Sequence, residues 1–231
     1  MDYKWATLTD RMGSDLTVVN AARVSFATKH EEFKEEQDER LIRYLAKHGH
    51  WSPFAHCSLQ YHVRAPIFVA RQLVKHQVGL SWNEVSRRYV DIEPEFYRVN
   101  KWRKKADDKK QGSSGEIVEW IDDGANGEMP HDLQREVEDL ALRNYNLLLK
   151  NGVAPEQARI VLPQSMMTEW YWTGSLYAFA RVCALRLEET AQQETQVVVQ
   201  DIAKQAEKYF PVSWKCLAFW ERANCLVSSL T

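Results

Sequence analysis

The clearest pattern of apolar and polar residues is a strict alternation over Cys57–Arg64, which predicts a half-buried β-strand. Pro66 then stands where the first residue of a helix is expected, so we predict a helix over Ile67–His76 that ends at Gly79. Helical spacing of apolar residues recurs in seven further segments: Leu16–Val24, Glu31–His48, Leu133–Leu149, the stretch that begins at Pro155, Ser175–Arg186, Ala191–Tyr209 and Ser213–Arg222. The pattern therefore predicts an α+β fold.

The segment Leu133–Leu149 is the clearest amphipathic helix of the chain. Its apolar positions, which we expect to face the core, are Leu133, Val137, Leu140, Ala141 and Leu148. We find no internal repeat and no convincing linker, so residues 1–231 are predicted to form a single domain.

Residues Lys101–Gly115 differ in character from the rest of the chain. They contain six basic side chains followed by Gly-Ser-Ser-Gly, which is typical of either a nucleic-acid arm or a solvated loop. Because Asp107 and Asp108 interrupt the basic run, we predict a mobile loop.

Composition narrows the class of protein without naming a function. Hydrophobic residues make up 45% and charged residues 27%, which excludes intrinsic disorder. The net charge of −2 argues against a general nucleic-acid binder, so an anionic ligand must be held by a local cluster of cations. No stretch approaches the roughly 20 apolar residues that cross a bilayer, so we expect no membrane span.

The four cysteines, Cys57, Cys183, Cys216 and Cys225, have no close spacing, and Met1–Ala6 does not resemble a secretory signal. We therefore expect reduced thiols, buried as small apolar side chains, and a cytoplasmic location.

The densest polar segment of the chain is Arg71–Tyr89. Its first half belongs to the predicted helix. The residues that follow are expected to form a loop with Ser81, Asn83, Glu84, Ser86, Arg87 and Arg88. Arginines in such a loop offer paired donors to phosphate or carboxylate. The residues alone leave a ligand loop and a solvated surface equally open.

Two further arginines, Arg159 and Arg186, lie within apolar runs. An unpaired buried charge is destabilising by several kcal/mol, so each is expected to pair with a carboxylate or to face a cleft with an anionic ligand. Together with Arg87 and Arg88, they suggest a phosphate site.

Two other chemistries have weak support. His48, His50, His56 and His62 lack a second His or Cys cluster with metal-ligand spacing, so we predict no metal site. Each cysteine lacks a neighbouring basic loop that would lower its pKa, so we predict no thiol nucleophile.

A set of ordered motifs resembles the flavin-dependent thymidylate synthases and runs nearly end to end, apart from Lys101–Met129. The motifs are Ala21–Phe26, Lys47–His50, Ser52–Phe54 with His56, Ala65–Gln72, Asn83–Glu84, Ser86, Arg88–Tyr89, Glu95–Tyr97, Ala158–Pro163, Trp172–Gly174, Leu185–Arg186, Ala191–Gln192 and Glu194. The resemblance implies an α+β fold with a central mixed or antiparallel sheet flanked by helices.

The resemblance also implies an activity. Members of this family convert dUMP to dTMP with a carbon from methylenetetrahydrofolate and a hydride from FAD that NADPH has reduced. They are homotetramers with active sites built at subunit junctions. The route through flavin needs no enzyme nucleophile.

The resemblance assigns roles residue by residue. The positions that surround dUMP are Gln72, Glu84, Ser86, Arg88, Arg159 and Arg186, and all keep the residue of the family. Arg186, Ser86 and Arg88 are implied to be catalytic, since arginine can stabilise negative charge on the uracil ring. The implied FAD-binding residues are His50, Ser52, Lys75, His76, Gln77, Glu84 and Arg181.

Departures from the family concentrate on the flavin side. The signature Arg-His-Arg, seven residues, Ser, any residue, Arg becomes Lys75-His76-Gln77, eight residues, and Ser86-Arg87-Arg88. Ser175 and Tyr177 replace an Asn and an Arg, and Ala55 replaces a common Glu. Formal positive charge is therefore lost around the flavin, and Arg87 or Arg181 is a candidate substitute.

Some alternatives stay open from the sequence. Trp51 or Trp82 could stack on an aromatic ligand or pack in the core. The altered flavin side also allows a related dUMP-modifying reaction, such as hydroxymethylation, or a nucleotide-binding protein without catalysis.

Overall fold

The structure is a computed structural model that describes residues 4–90, 92–107, 112–122, 124 and 127–218. Eight strands lie in this part of the chain: β1 Ala6–Met12, β2 Ser58–Pro66, β3 Leu80–Glu84, β4 Arg103–Lys105, β5 Ser113–Ile117, β6 Ile121–Asp122, β7 Gly127–Glu128 and β8 Met167–Ser175. The α-helices with defined bounds are α1 Asp15–Arg23, α2 Glu35–Lys47, α3 Ser52–Ala55, α4 Ile67–Leu73, α5 Pro130–Lys150, α6 Pro155–Ala158, α7 Leu176–Arg186 and α8 Gln193–Tyr209. Residues 24–26 and 159–161 are 3₁₀ helices, and residues 211–218 are helical.

The chain groups into two compact units. The first unit comprises the described parts of Met1–Val63, Val74–Asn83 and Trp170–Thr231, and the second comprises those of Arg64–Leu73 and Glu84–Glu169. The single catalytic domain expected for residues 1–231 stays a prediction.

The main sheet has four strands in the order β1-β2-β8-β3. β1 and β2 are antiparallel, with Ala6 opposite Val63 and Met12 opposite Ser58. Buried and partly exposed residues alternate along β2 as the sequence predicted, because one face of the strand contacts the core. The predicted α+β class with an antiparallel sheet is confirmed.

The core of the first unit is aromatic. Phe179 meets Tyr61 and Trp172 edge to face, with ring centroids 5.0 and 5.2 Å apart. Trp82 stacks on the buried Trp170 at 4.2 Å. The Trp82 ring therefore packs within the unit on one side and is half-buried.

The helix predicted from Ile67 does begin there, but Pro66, which was expected to be its first residue, is not part of it. Pro66 ends β2, and α4 follows it from Ile67 to Leu73. The backbone N–H groups of Ile67 and Phe68 are held by the carbonyls of Met166 and Gln164, at 2.9 and 3.2 Å. Tertiary hydrogen bonds thus satisfy the first donors of the helix and fix where it starts.

The segment from Val74 to Gly79 was also expected to be partly helical. The helix instead ends at Leu73, so Lys75, His76 and Gln77 lie in a turn region before β3. Gly79 was predicted to end the helix, and this prediction is wrong, because the helix ends six residues earlier; the φ of +75° at Gly79 serves the turn before β3 instead.

In the second unit, α5 buries a different face from the one that the sequence predicted. The buried side chains of α5 include Glu138, Ala141 and Tyr145, whereas Leu133, Val137 and Leu140 are exposed. Glu138 accepts hydrogen bonds from Gln134 and Ser165, at 2.7 and 3.0 Å, and these bonds compensate for its burial.

The segment Lys101–Gly115 contains secondary structure where the sequence predicted a loop. β4 pairs antiparallel with β5, so Arg103 lies opposite Ile117 and Lys105 opposite Ser113. Residues 108–111 lie outside the described residues, as do Cys225 and the last part of the helix predicted over Ser213–Arg222. The helices of the described residues include none long and apolar enough to cross a membrane.

Candidate functional site

The residues predicted to contact flavin lie mostly in the first unit. His50 and Ser52 stand just before and at the start of α3, and Lys75, His76 and Gln77 lie in the turn region before β3. Arg181 is on α7, which ends at Arg186.

The centre of this group is a hydrogen bond between His76 and Arg186. The Arg186 Nε–H donates to His76 Nε2 at 3.0 Å. Burial lowers the pKa of His76, and the charges of Arg186 and Arg181 lower the pKa further. His76 is therefore neutral at pH 7, with its proton on Nδ1, because Nε2 acts as the acceptor.

The remaining polar groups around His76 could hold an anionic cofactor. Lys75, Gln77 and Arg181 are exposed, and neither cation has an ion-pair partner among the described residues. These two charges, the Gln77 amide and the His76 Nδ1–H form a donor set that suits a diphosphate. The residues present therefore fit the cofactor that the sequence implied, although Lys75 offers a point charge where arginine would offer a planar fork.

Aromatic side chains lie in the same unit as these donors. Trp51 is 55% exposed, and its ring is 6.2 Å from that of Tyr177. The ring of His50 lies 6.0 Å from that of Tyr44 in a stacked orientation. Trp51 is thus accessible to an aromatic ligand, and it is more exposed than the half-buried Trp82.

The residues predicted to bind dUMP lie mostly in the second unit. Gln72 is half-buried on α4, and Glu84 is the last residue of β3. The sequence placed Ser81, Asn83 and Glu84 in a loop, and this prediction is wrong because all three are on the strand. Only Ser86, Arg87 and Arg88 follow it in a turn region.

The Glu84 carboxylate is held by a residue that sequence reasoning missed. The Thr168 hydroxyl, which is buried on β8, donates to Glu84 Oε1 at 2.7 Å. Only the polar character of Thr168 within a strand of aromatic residues could have indicated such a role.

Arg88 and Arg159 are available to an anion. Arg88 makes long contacts with the Ser86 hydroxyl and lies over the Tyr89 ring, 5.1 Å from its centroid. Arg159 Nε donates to the Glu156 carbonyl at 3.3 Å. Within the described ranges, neither guanidinium has a carboxylate partner.

The apolar neighbours of Arg159 do not bury it, contrary to what its sequence context suggested. Arg159 is exposed, and Ile160 beside it is 78% exposed, because the 3₁₀ turn directs this segment outward. Arg186 has a similar sequence context and is partly buried against His76.

The two candidate substitutes for the missing flavin-side charge differ in their surroundings. Arg87 donates through Nη1 to the carbonyl of Ile92, so its own loop engages it. Arg181 is exposed and near enough to His76 to lower the pKa of that imidazole. The geometry therefore favours Arg181.

The cysteines in the described part of the chain are poor nucleophiles. Cys57, Cys183 and Cys216 are buried and have no disulfide partner among the described residues. Burial raises the pKa of Cys57 to about 12, with the nearby Asp15 charge adding to the effect. The described residues contain no group of three or more His, Cys, Asp or Glu side chains that could hold a metal ion.

A separate cavity of about 830 Å³ lies in the first unit, between α2 and residues 211–218. Its lining side chains are Glu39, Arg43, Tyr44, Lys47, His48, Pro211, Val212, Lys215 and Cys216. The residues predicted for nucleotide and flavin are not among them, so we do not assign it to the reaction.

Comparison with known proteins identifies relatives of the whole chain. The family model described as thymidylate synthase complementing protein matches residues 7–212. A flavin-dependent thymidylate synthase of Thermus thermophilus is 39% identical over 214 residues, which cover 93% of this chain and 75% of the relative. The enzyme of the same name from Thermosipho africanus is 38% identical, with 95% and 92% covered.

A solved structure is also similar. The UMP/dUMP methylase PolB from Streptomyces cacaoi, bound with 5-Br dUMP, superposes with a TM-score of 0.79 at 31% identity. The match covers 94% of this chain and 95% of that one. Sequence and fold agree, and the chain belongs to the family of flavin-dependent thymidylate synthases.

Proposed function

We propose that this protein converts dUMP to dTMP, with methylenetetrahydrofolate as the carbon donor and NADPH-reduced FAD as the hydride source. The observation that carries the proposal is the hydrogen bond between Arg186 and His76. It joins a residue assigned to the nucleotide with a residue assigned to the flavin. Family membership supports the same reaction.

The arginines of the chain bind the nucleotide in this proposal. Arg88 and Arg159 have no carboxylate partner in the part of the chain that the structure describes, so a phosphate can take that place without breaking an ion pair. Gln72, Glu84 and Ser86 position the base and ribose. Thr168 keeps the Glu84 carboxylate in one orientation.

Arg186 stabilises the negative charge that develops on the uracil ring. Its Nε–H donates to the neutral His76, which fixes the plane of the guanidinium. A protonated His76 could not accept this bond and would repel Arg186, so the lowered pKa of His76 keeps the arrangement intact at neutral pH.

FAD would be held by His50, Ser52, Lys75, His76, Gln77, Glu84 and Arg181. When bound, it would supply the hydride for reduction. The thiols take no part, which agrees with the burial of Cys57, Cys183 and Cys216. We further propose a homotetramer with shared active sites and a cytoplasmic location, in line with the resemblance.

The test is product analysis on the purified protein with dUMP, methylenetetrahydrofolate, FAD and NADPH. We expect dTMP by mass spectrometry, and UMP serves as a parallel substrate. A 5-hydroxymethyl product would replace the proposal with the related modifying reaction. Binding of dUMP without any product would indicate a nucleotide-binding protein.

The cysteines give a second prediction. A variant with Cys57, Cys183, Cys216 and Cys225 all changed to Ala is expected to form dTMP within about tenfold of the parent, because no thiolate is needed. Circular dichroism checks that it folds. Loss of product on changing one cysteine to Ser in a folded protein would contradict this prediction.

The flavin side gives a third prediction. Gln77→Arg adds a cation beside Lys75, so we expect FAD to bind about fivefold tighter, as about 1 kcal/mol per screened contact implies. Its affinity should also fall more steeply with salt. Fluorescence titration at several salt concentrations measures both quantities.

The matched control for Gln77→Arg is Gln37→Arg, an exposed glutamine on α2. It adds the same charge to the same unit, and we expect it to leave FAD binding unchanged. If Gln77→Arg also changes neither affinity nor slope, the missing charge has been replaced. Arg181→Ala should then weaken FAD, while Arg87→Ala should not.

A further inference from the structure

Helix α5 carries more apolar surface than the second unit buries. Val137 is 55% exposed and Leu140 is 48% exposed. Leu133 and Leu147 are exposed as well. The buried side of the helix is a neighbouring stripe that includes Glu138, Ala141 and Tyr145. Large exposed apolar side chains that form a continuous line are typical of an interaction surface.

The exposed line has the spacing of a helix-pairing seam. Leu133, Val137, Leu140, Asn144 and Leu147 follow one another at alternating steps of four and three residues. Such a heptad pattern places all five on one side of a helix, and it is the pattern by which two helices pair. At 1.5 Å per residue, the seam is about 21 Å long.

Charged residues flank the seam along one edge only. Glu136 directly precedes Val137, and Arg143 directly precedes Asn144. The two charged residues are seven positions apart, so they lie on the same side of the helix. Both side chains are exposed, and neither forms an ion pair with another residue that the structure describes. Arg135 lies farther round the helix and contacts Asp132.

We infer that α5 pairs with α5 of a second copy of this chain, antiparallel about a twofold axis. In that arrangement Val137 of one copy faces Leu140 of the other, and Leu133 faces Asn144. The same symmetry sets Glu136 of each copy opposite Arg143 of the other, so two ion pairs form. A twofold contact must be self-complementary in this way.

The charges favour the antiparallel arrangement over the parallel one. Two parallel helices in register would set Glu136 opposite Ala141 and Arg143 opposite Leu148 of the second copy, so neither charge would find a partner. The second copy is therefore the partner for which both the apolar line and the charges are complementary.

The size of the seam indicates its role. One helix pair of this length buries less than the roughly 800 Å² per partner of a standard interface. The α5 contact is thus one interface within a larger assembly of identical chains. This inference rests on the homotetramer proposed above, and it specifies the surface and the symmetry of one contact between its subunits.

Charge reversal tests the pairing on the full chain. Glu136→Arg and Arg143→Glu each create two like-charge contacts, and we expect each to weaken association about three- to tenfold in sedimentation velocity over a dilution series. The double variant restores opposite charges and should associate within about twofold of the parent. Arg135→Glu is the matched control and should behave as the parent does.

Chemical cross-linking gives a readout that does not depend on how tightly the assembly holds. Co-expressed Glu136→Cys and Arg143→Cys chains should be joined by a short bis-maleimide, whereas Arg135→Cys chains should not. When Leu140→Glu is added to both chains, the cross-link between Glu136→Cys and Arg143→Cys should be lost. Activity towards dUMP is measured in parallel to separate catalysis from assembly.

The contrary outcomes are distinct. Single reversals that associate as the parent does, or no cross-link between Glu136→Cys and Arg143→Cys chains, would overturn the α5 pairing while leaving a tetramer through other surfaces intact. Weakening by Leu140→Glu without rescue by the double reversal would overturn the antiparallel arrangement. A parent that forms dTMP but stays monomeric would overturn both the pairing and the tetramer, but not the reaction.

Discussion

Arg186→Ala is expected to weaken dUMP binding by about one to two orders of magnitude. The side chain would lose a charge-assisted contact to the nucleotide, which contributes roughly 1.5–3 kcal/mol. Because Arg186 also stabilises charge on the uracil ring in our proposal, the rate of dTMP formation should fall as well. Calorimetry with dUMP and single-turnover assays measure these two effects separately.

A change at His76 accompanies the loss of Arg186. The pKa of His76 should rise in Arg186→Ala, because one of the two nearby cations that lower it is gone. Burial, which is the largest cause of the lowered pKa, should keep it below the ordinary value. An NMR titration of the imidazole measures this shift, which tests the contact between Arg186 and His76 independently of catalysis.

Arg186→Lys and Arg40→Ala complete the experiment. The lysine keeps the charge and loses the planar fork, so it should recover part of the affinity. Arg40 is an exposed arginine on α2, and its removal should change neither dUMP binding nor the His76 pKa. Parent-like dUMP binding by Arg186→Ala would show that the assignment of Arg186 is wrong.

Asp38→Ala is expected to destabilise the protein by about 3–5 kcal/mol, the largest stability effect that we predict. Asp38 is fully buried on α2, where it binds Arg23 at 3.1 Å and His30 at 2.9 Å. The Lys34 N–H also donates to its carboxylate at 2.8 Å. Truncation would leave the partly buried Arg23 without its counter-charge.

The pH dependence of stability follows from the same contacts. Burial alone would raise the pKa of Asp38, but hydrogen bonds from Lys34, His30 and Arg23 lower it below the ordinary value. The carboxylate therefore contributes its full stability above the ordinary pKa, and this contribution is lost as the pH falls through the folded-state pKa. Urea unfolding at pH 7 and at acidic pH measures the change.

Glu39→Ala is the matched control for Asp38→Ala. Glu39 neighbours Asp38 on α2 and pairs with the exposed Arg43 at the surface. An exposed pair of this kind contributes about 0–1 kcal/mol. If both variants unfold at the same urea concentration, the buried cluster does not stabilise the first unit as we describe.

Local patterns predicted those elements whose residues face one core on one side. The alternation over Cys57–Arg64 became β2, and the apolar spacing over Ala191–Tyr209 became α8, which buries Val198, Val199, Ile202 and Ala206 on one side. In both segments the side-chain period equals the backbone period, so the sequence carries the geometry. β1, β3 and β8 went unpredicted, because their strand partners lie far away in the chain.

The candidate site shows the same division. Motif resemblance named its residues and the family, and comparison with known proteins confirmed the family. The resemblance could not show that Thr168 donates a hydrogen bond to Glu84, or that Arg186 donates one to His76, 110 residues away in the chain. These contacts join distant segments, and no local pattern records them.

By itself, the sequence determined the type of most helices, the central strand, the family and the residue types of the site, since each depends on local periodicity or an ordered motif. Only the tertiary structure decided which face of α5 is buried, that Arg159 is exposed while Arg186 is partly buried, and that the pKa of His76 is lowered. Burial and pKa depend on which groups surround a side chain. Those groups come from remote parts of the chain, so the fold decides them.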